Sequence, residues 1–171
     1  MLGIVTTVRL RLLLSCVLAL VLLAVAASPA LAGGRVYRHR LLEDINHVRA
    51  EHGLVPLRAS HGLHVAAQRH SADMIARDYF GHTSPTGSTL YRRIMTSGFV
   101  YWGEWWAGED LAWGTGTYGT PRATLRMWLA SPEHRAILLS SRYRLIGLGR
   151  TTGTFLGNAN AVVWTADFGH R

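Results

Sequence analysis

The 171 residues carry 18 basic side chains, every one an arginine, against 10 acidic ones, for a formal charge of +8. The single cysteine, Cys16, sits in an apolar N-terminal stretch, which excludes a disulfide scaffold, a cysteine metal site and a thiolate nucleophile from the rest of the chain. The arginines are scattered, with no basic helix and no aromatic–basic interleaving, and this excludes a dedicated nucleic-acid surface.

Arg9 and Arg11 precede an apolar run from Leu12 to Ala27, and "SPALAG" follows with Ala30 and Ala32 in an Ala-x-Ala arrangement. Those three zones read as an export signal spanning 1–32 and cleaved after Ala32. A retained membrane span uses ~20 consecutive apolar residues, more than this run offers. A lipoprotein box at Cys16 is disfavoured because the apolar run continues well past it. Cleavage removes 32 of the 171 residues and leaves 139, one domain large enough to bury a core. The expected product is a monomer without a stable membrane span. It is secreted or extracellular, or held in the periplasm or at the cell wall. Losing Arg9 and Arg11 lowers the charge from +8 to +6, still suited to anionic wall polymers or simply to a soluble arginine-rich surface.

"GGRVYRHR" (33–40) reads as a loose lead-in to a domain over 41–171. Leu42, Ile45 and Val48 share one face of a helix over 41–52 that Gly53 closes. "VPL" is extended. Leu63, Ala66, Ala67, His70 and Met74 recur at helical spacing over 61–77. "GHTSPTGS" (81–88) is a turn-rich loop, and a short helix over 88–97 turns Leu90 and Ile94 inward. "FVYW" is strand-like, and "WGTGTYGT" reads as a flexible glycine-rich loop. Thr120 and Pro121 are N-cap and first residue of a helix over 121–129 bearing Leu125, Trp128 and Leu129. The β-rich runs near 145–150 and 161–168, separated by "RTTGTFLGNAN", predict an antiparallel pair. The class is α+β, helices packed on a small sheet.

"GLGRTTG" has the glycine spacing of a nucleotide loop, but a strand-like run follows it where a helix is required. Ser84 and Ser131 lack a nucleophile elbow, and no His-Glu-x-x-His occurs. Of the nine histidines, His39, His61 and His170 read as surface or terminal. His47 and His52 belong to the first helix, His64 and His70 to the second, with His70 a hydrogen-bonded core residue. His82, in the turn "FGHTSPTG", can project into a cleft. His134 follows Ser131 and Pro132 at a helix start, where the helix dipole favours the neutral, metal-binding imidazole. Glu133 beside it reads as a first-turn acid. "AGEDLAWG" (107–114) sets Glu109 and Asp110 among Trp102, Trp105, Trp106 and Trp113; buried there, the carboxylates need partners, and otherwise they belong at a rim.

"INHVRAEHGLVPL", "LHVAAQRHSADM", "YFGHTSPTG", "AGEDLAWG", "WLASPEHRAILL", "YRLIGLG" and "VVWTADFG" stand in the order and spacing of bacterial CAP-domain proteins, the SCP/PR1-like superfamily of cysteine-rich secretory, antigen 5 and pathogenesis-related proteins. The resemblance covers Leu41 to Gly169. It implies an α-β-α sandwich with a central antiparallel sheet and a surface cleft, where two histidines and two acids hold a divalent metal, often zinc. His82, Glu109 and His134 match three of those positions. The second acid would fall on Ser131, with Glu133 a possible substitute, and Asp110 replaces the asparagine usual after the glutamate. The resemblance therefore implies a metal site of His82, His134 and Glu109, with Glu133 a fourth candidate, while a hydrogen-bonded polar cluster without metal is the competing reading. Asp110 is expected to point away, hydrogen-bonded or solvated, and the tryptophans to wall the cleft.

Three functions follow from the resemblance. The first is an exported, non-catalytic module that binds a lipid, a sterol or a cell-wall component. The second is a metal-dependent hydrolase, in which His82 and His134 bind zinc or another divalent cation and Glu109 orients or deprotonates water. The third is a wall-associated adhesion or structural protein. The absence of an unambiguous nucleophile or base favours the first.

Overall fold

The computed structural model describes residues 29–99 and 105–170. A domain division falls between Arg35 and Val36, and the fold is that of the unit beginning at Val36. The export segment lies outside the described residues up to residue 28. The elements are α1 (Pro29–Glu51), β1 (Arg58–Ala59), α2 (His61–Arg77), α3 (Leu90–Met95), β2 (Ala107–Gly114), a 3-10 turn (Gly116–Gly119), α4 (Pro121–Ala130), α5 (Pro132–Leu138), β3 (Leu145–Phe155) and β4 (Asn158–Gly169).

The sheet runs β1-β3-β4-β2. Its long pairings, β3 with β4 and β4 with β2, are antiparallel, and the two-residue β1 pairs parallel to β3. Side chains alternate across it. Trp164, Ala166 and Phe168 of β4 join Leu41, Ile45, Trp128 and Leu138 in the main core, beneath α1, α4 and α5. Val163 faces the other way, with Met74 of α2 and Leu111 of β2. Helices thus cover both faces, giving the α-β-α sandwich of the α+β class.

The approach of α2 depends on two glycines in β3. A Cβ on Gly147 would sit 2.0 Å from the Leu63 carbonyl carbon, and one on Gly149 would sit 2.2 Å from the Ala67 oxygen. The helix backbone therefore lies directly on the strand. Arg49 fastens the other layer. Buried completely, it donates to the carbonyls of Leu138 (2.6 Å) and Ser140 (3.1 Å) after α5, and to Val55 and Tyr143. The guanidinium replaces the hydration that the end of a helix would otherwise need.

Four expectations are corrected. Residues 33–40 are helical, within α1, and not a loose lead-in. The segment continues a helix already fixed in the core by Leu41 and Ile45, where each added residue needs no new nucleus, and the Arg150 guanidinium lies 4.6 Å over its Tyr37 ring. "RTTGTFLGNAN" is mostly strand, and only Leu156 (φ 47°) and Gly157 (φ 76°) turn, a two-residue hairpin with positive φ at both positions. "WGTGTYGT" is anchored: Gly114 ends β2, and the Gly119 carbonyl accepts from Trp164 Nε1 at 3.0 Å. Phe99 belongs to no strand and packs with Leu63 and Ile94; the rest of "FVYW" lies outside the described residues.

Candidate functional site

Alternation along edge strand β2 separates the adjacent acids. Glu109 shares its parity with Leu111 and faces α2, whereas Asp110 shares its parity with Ala112 and faces the main core. Both are buried, so each needs neutralisation or partners.

Glu109 is fully partnered. Its Oε1 lies 2.8 Å from Nδ1 of His82, its Oε2 accepts from Arg93 at 2.5 Å, and His70 Nε2 lies 3.8 Å from Oε2. Burial pushes the carboxyl up, but the His82 hydrogen bond, Arg93 and His70 together outweigh it and hold Glu109 below the ordinary carboxylate range. Arg93 also donates to the carbonyls of His82 and Ser88, both at 3.0 Å, fixing the loop that presents His82. Directly across the strand pair stands Asp167, fully buried. Burial first, then the Glu109 charge, pushes it far above the carboxylate range, so it is held as the neutral acid, and neither of its oxygens meets a hydrogen-bond partner among the described residues.

Two imidazoles differ sharply. The hydrogen bond to Glu109 raises the His82 pKa against the pull of burial, and its side chain is 59% exposed. His70 is buried, and burial lowers it to about 4; its neutral ring donates Nε2–H to the Gly81 carbonyl at 3.0 Å. That is the hydrogen-bonded core role expected of it, but in contact with Glu109.

His134 is half-buried in the first turn of α5, with Ser131 at the N-cap position. Burial, and then the charge of neighbouring His82, lowers its pKa, while Glu133 opposes the shift. Glu133 is exposed. Among the described residues, no three His, Cys, Asp or Glu side chains converge on a point where one ion could sit. The structure therefore joins His82 to Glu109, sets His134 within electrostatic reach of His82, and adds His70, Arg93 and Asp167. The last could have been noticed in "VVWTADFG", where Thr165 and Asp167 repeat the parity of Val163 in an otherwise apolar strand.

Two further expectations change. Asp110 is neither solvated nor hydrogen-bonded among the described residues; both its oxygens are buried and unpartnered. Burial, then Glu109, raises its pKa to about 8, and it is kept as the neutral acid. The tryptophans do not form one wall. Trp105 packs edge-on against Tyr91 at 5.3 Å, Trp113 against Phe155 at 5.4 Å, and half-exposed Trp106 lies 4.5 Å beneath the Arg142 guanidinium. Trp102 lies outside the described residues.

Helices on both faces of a short sheet, with an imidazole–carboxylate–guanidinium cluster on its edge strand, define a sandwich domain with a polar surface cleft. The chain belongs to the CAP family, described as the cysteine-rich secretory protein family, whose model matches residues 42–168. It is 30% identical over 132 residues to the uncharacterized protein YkwD of Bacillus subtilis, covering 77% of this chain and 46% of that protein. It is 34% identical over 110 residues to the uncharacterized membrane protein YlbC of the same organism, covering 64% of this chain and 30% of YlbC. The chain thus spans less than half the length of these relatives. Among solved structures, an extracellular protein containing an SCP domain from Bacillus anthracis superposes with a TM-score of 0.64 at 27% identity, over 78% of this chain and 40% of that one. An outer surface protein from Borrelia burgdorferi shares the fold, with a TM-score of 0.66 at 22% identity over 78% of this chain and 92% of that one. Among the described residues, no helix is long and apolar enough to cross a membrane.

Proposed function

We propose that this is an exported, non-catalytic CAP module that binds a long-chain fatty acid. The observation that carries the reading is a groove of about 700 Å³ between α1 and α4. Tyr37, Val48, Leu125 and Leu129 supply an apolar wall, and Arg122 and Arg126 stand along it, while Arg40 is paired with Asp44 at 3.6 Å. An acyl chain gains roughly 0.8 kcal/mol per buried methylene, and a carboxylate head suits the arginines better than a sterol hydroxyl does. The aromatic stretch 99–113 offers no such wall: Phe99 and Trp105 pack on each other, Trp113 packs on Phe155, and Trp106 lies beneath Arg142. Saturable binding of labelled oleate is expected, weakened by the exposed pair Arg122→Glu/Arg126→Glu and retained in His82→Ala/His134→Ala. A wild type that binds no oleate ends this reading. Export is supported by the arrangement of residues 1–32 and by the extracellular and surface neighbours, and is tested by amino-terminal sequencing of secreted material, which should begin at Gly33.

A second reading, a divalent ion in the cleft, has one observation in its favour. When Glu109 accepts the Nδ1 proton of His82, the tautomer leaves Nε2 open, as carboxylates behind metal-binding histidines do. The donor set fits two imidazoles, His82 and His134, better than a three-ligand site, because both Glu109 oxygens are committed. A bound ion would supply Lewis acidity at the cleft mouth. The residues themselves fix the His82 tautomer and keep His134 neutral. Zinc titration calorimetry should lose all binding in His82→Ala or His134→Ala and show weakened binding in Glu109→Gln. The hydrolase alternative needs Glu109 as a free base, and a paired carboxylate of lowered pKa is a weak one.

A further inference from the structure

A second polar cavity, about 280 Å³, lies between α2, the 81–88 loop and α3. Its walls hold more hydrogen-bond donors than acceptors. The carboxylate among them, Asp73, is saturated: Arg77 Nε and the Tyr79 hydroxyl reach it at 2.7 Å, and the Ser84 hydroxyl at 2.8 Å. His70 has already given its proton to Gly81. Arg93 is 8% exposed, yet its Nε–H meets no partner among the described residues. Arg69 is exposed and has no carboxylate partner among the described residues; it makes one long bond, 3.4 Å, to the Thr96 carbonyl. That Nε–H is sealed from solvent, so what Arg93 offers the cavity is its charge and Arg69 is the donor free to meet a ligand oxygen.

We propose that this cavity binds a small hydroxylated oxyanion, a phosphate or carboxylate carried on a polyol or sugar. Arg69 takes an anionic oxygen, with the Arg93 charge behind it, and Thr86 and Ser88 take the ligand hydroxyls. With Asp73 neutralised by Arg77 and Arg93 by Glu109, Arg69 is the cation that supplies the net positive charge of the cavity. The volume exceeds a bare oxyanion, and the remaining wall is hydroxyl-bearing where an acyl chain would need apolar surface. This site is separate from the groove between α1 and α4, and it shares the Arg93 and His70 side chains with the Glu109 cluster behind His82.

Calorimetry on the full chain tests it, with glycerol 1-phosphate, glucuronate and inorganic phosphate as probes. Saturable binding of at least one organic probe is expected, tighter than that of inorganic phosphate, and whichever binds tighter identifies the phosphate or the carboxylate source. Arg69→Gln, exposed and outside the folding core, should weaken it about tenfold, since a charge-assisted pair is lost. Ser88→Ala should weaken it about twofold, the loss of one neutral hydrogen bond. The Arg122→Glu/Arg126→Glu variant should bind as the wild type does. No saturable binding of either organic probe at millimolar concentration overturns the proposal, as does equal affinity in Arg69→Gln. Inorganic phosphate binding as tightly as glycerol 1-phosphate overturns the hydroxyl part.

Discussion

Glu109 and Asp110 are neighbours in the chain, are equally hidden from water, and behave in opposite ways. Glu109 faces α2, where His82, Arg93, His70 and Asp167 surround it, and it stays charged. Asp110 faces the apolar layer under α4 and α5, meets no hydrogen-bond partner among the described residues, and stays protonated. Burial is the same in the two cases. What differs is the surface each strand face meets, and that decides whether a buried acid becomes a site or a cost.

The largest way to break this contrast is Glu109→Gln. It leaves the Arg93 guanidinium buried without its counter-charge, and unfolding free energy in urea should fall by roughly 3–5 kcal/mol. A loss below about 1 kcal/mol would mean that the pair is solvated in solution.

Asp110→Asn should act the other way at neutral to alkaline pH, stabilising by about 1–3 kcal/mol by removing an acid that must stay protonated or pay for burial as an anion. The sign follows from its raised pKa. The folded state keeps a proton that the unfolded chain releases above the ordinary aspartate value of 3.8, so this contribution to stability is complete below about pH 4 and is lost as pH rises through about 8. Asp167 acts in the same direction. Thermal melts from pH 7 to 9, above the range in which buried His70 acts the other way, should show the wild type declining with pH and Asp110→Asn declining less steeply. A wild type that gains stability across that window would contradict the assignment.

Smaller still is Ser71→Ala, which removes the 2.9 Å bond to Thr165 in the polar layer and should cost about 1 kcal/mol. At the bottom lies His39→Ala. Its pairing with Glu43 is exposed on both sides, and no measurable change in Tm is expected. A large effect there would show that α1 is held by its surface charges and not by the core residues Leu41 and Ile45.

Much of the fold was legible in the chain. Helical spacing located α2 at its observed bounds, Thr120 and Pro121 marked the start of α4, and two β-rich runs announced the hairpin. The family resemblance brought His82 and Glu109 together, and they touch. Periodicity, capping and turn chemistry are local properties, carried by residues within a turn or two of one another, and sequence states these directly. Three things were decided only in the folded molecule. The 33–40 segment is helical as the continuation of a helix held in the core by Leu41 and Ile45, with Tyr37 against Arg150, more than a hundred positions away. Arg93 and Asp167 joined the site because α3 and β4 pass beside β2. Asp110 lost its partners because strand alternation turned it into a core that offers none. Each outcome depends on which distant surface arrives opposite a side chain, and the energy of burying a charge depends on that surface far more than on the neighbouring residues in the chain.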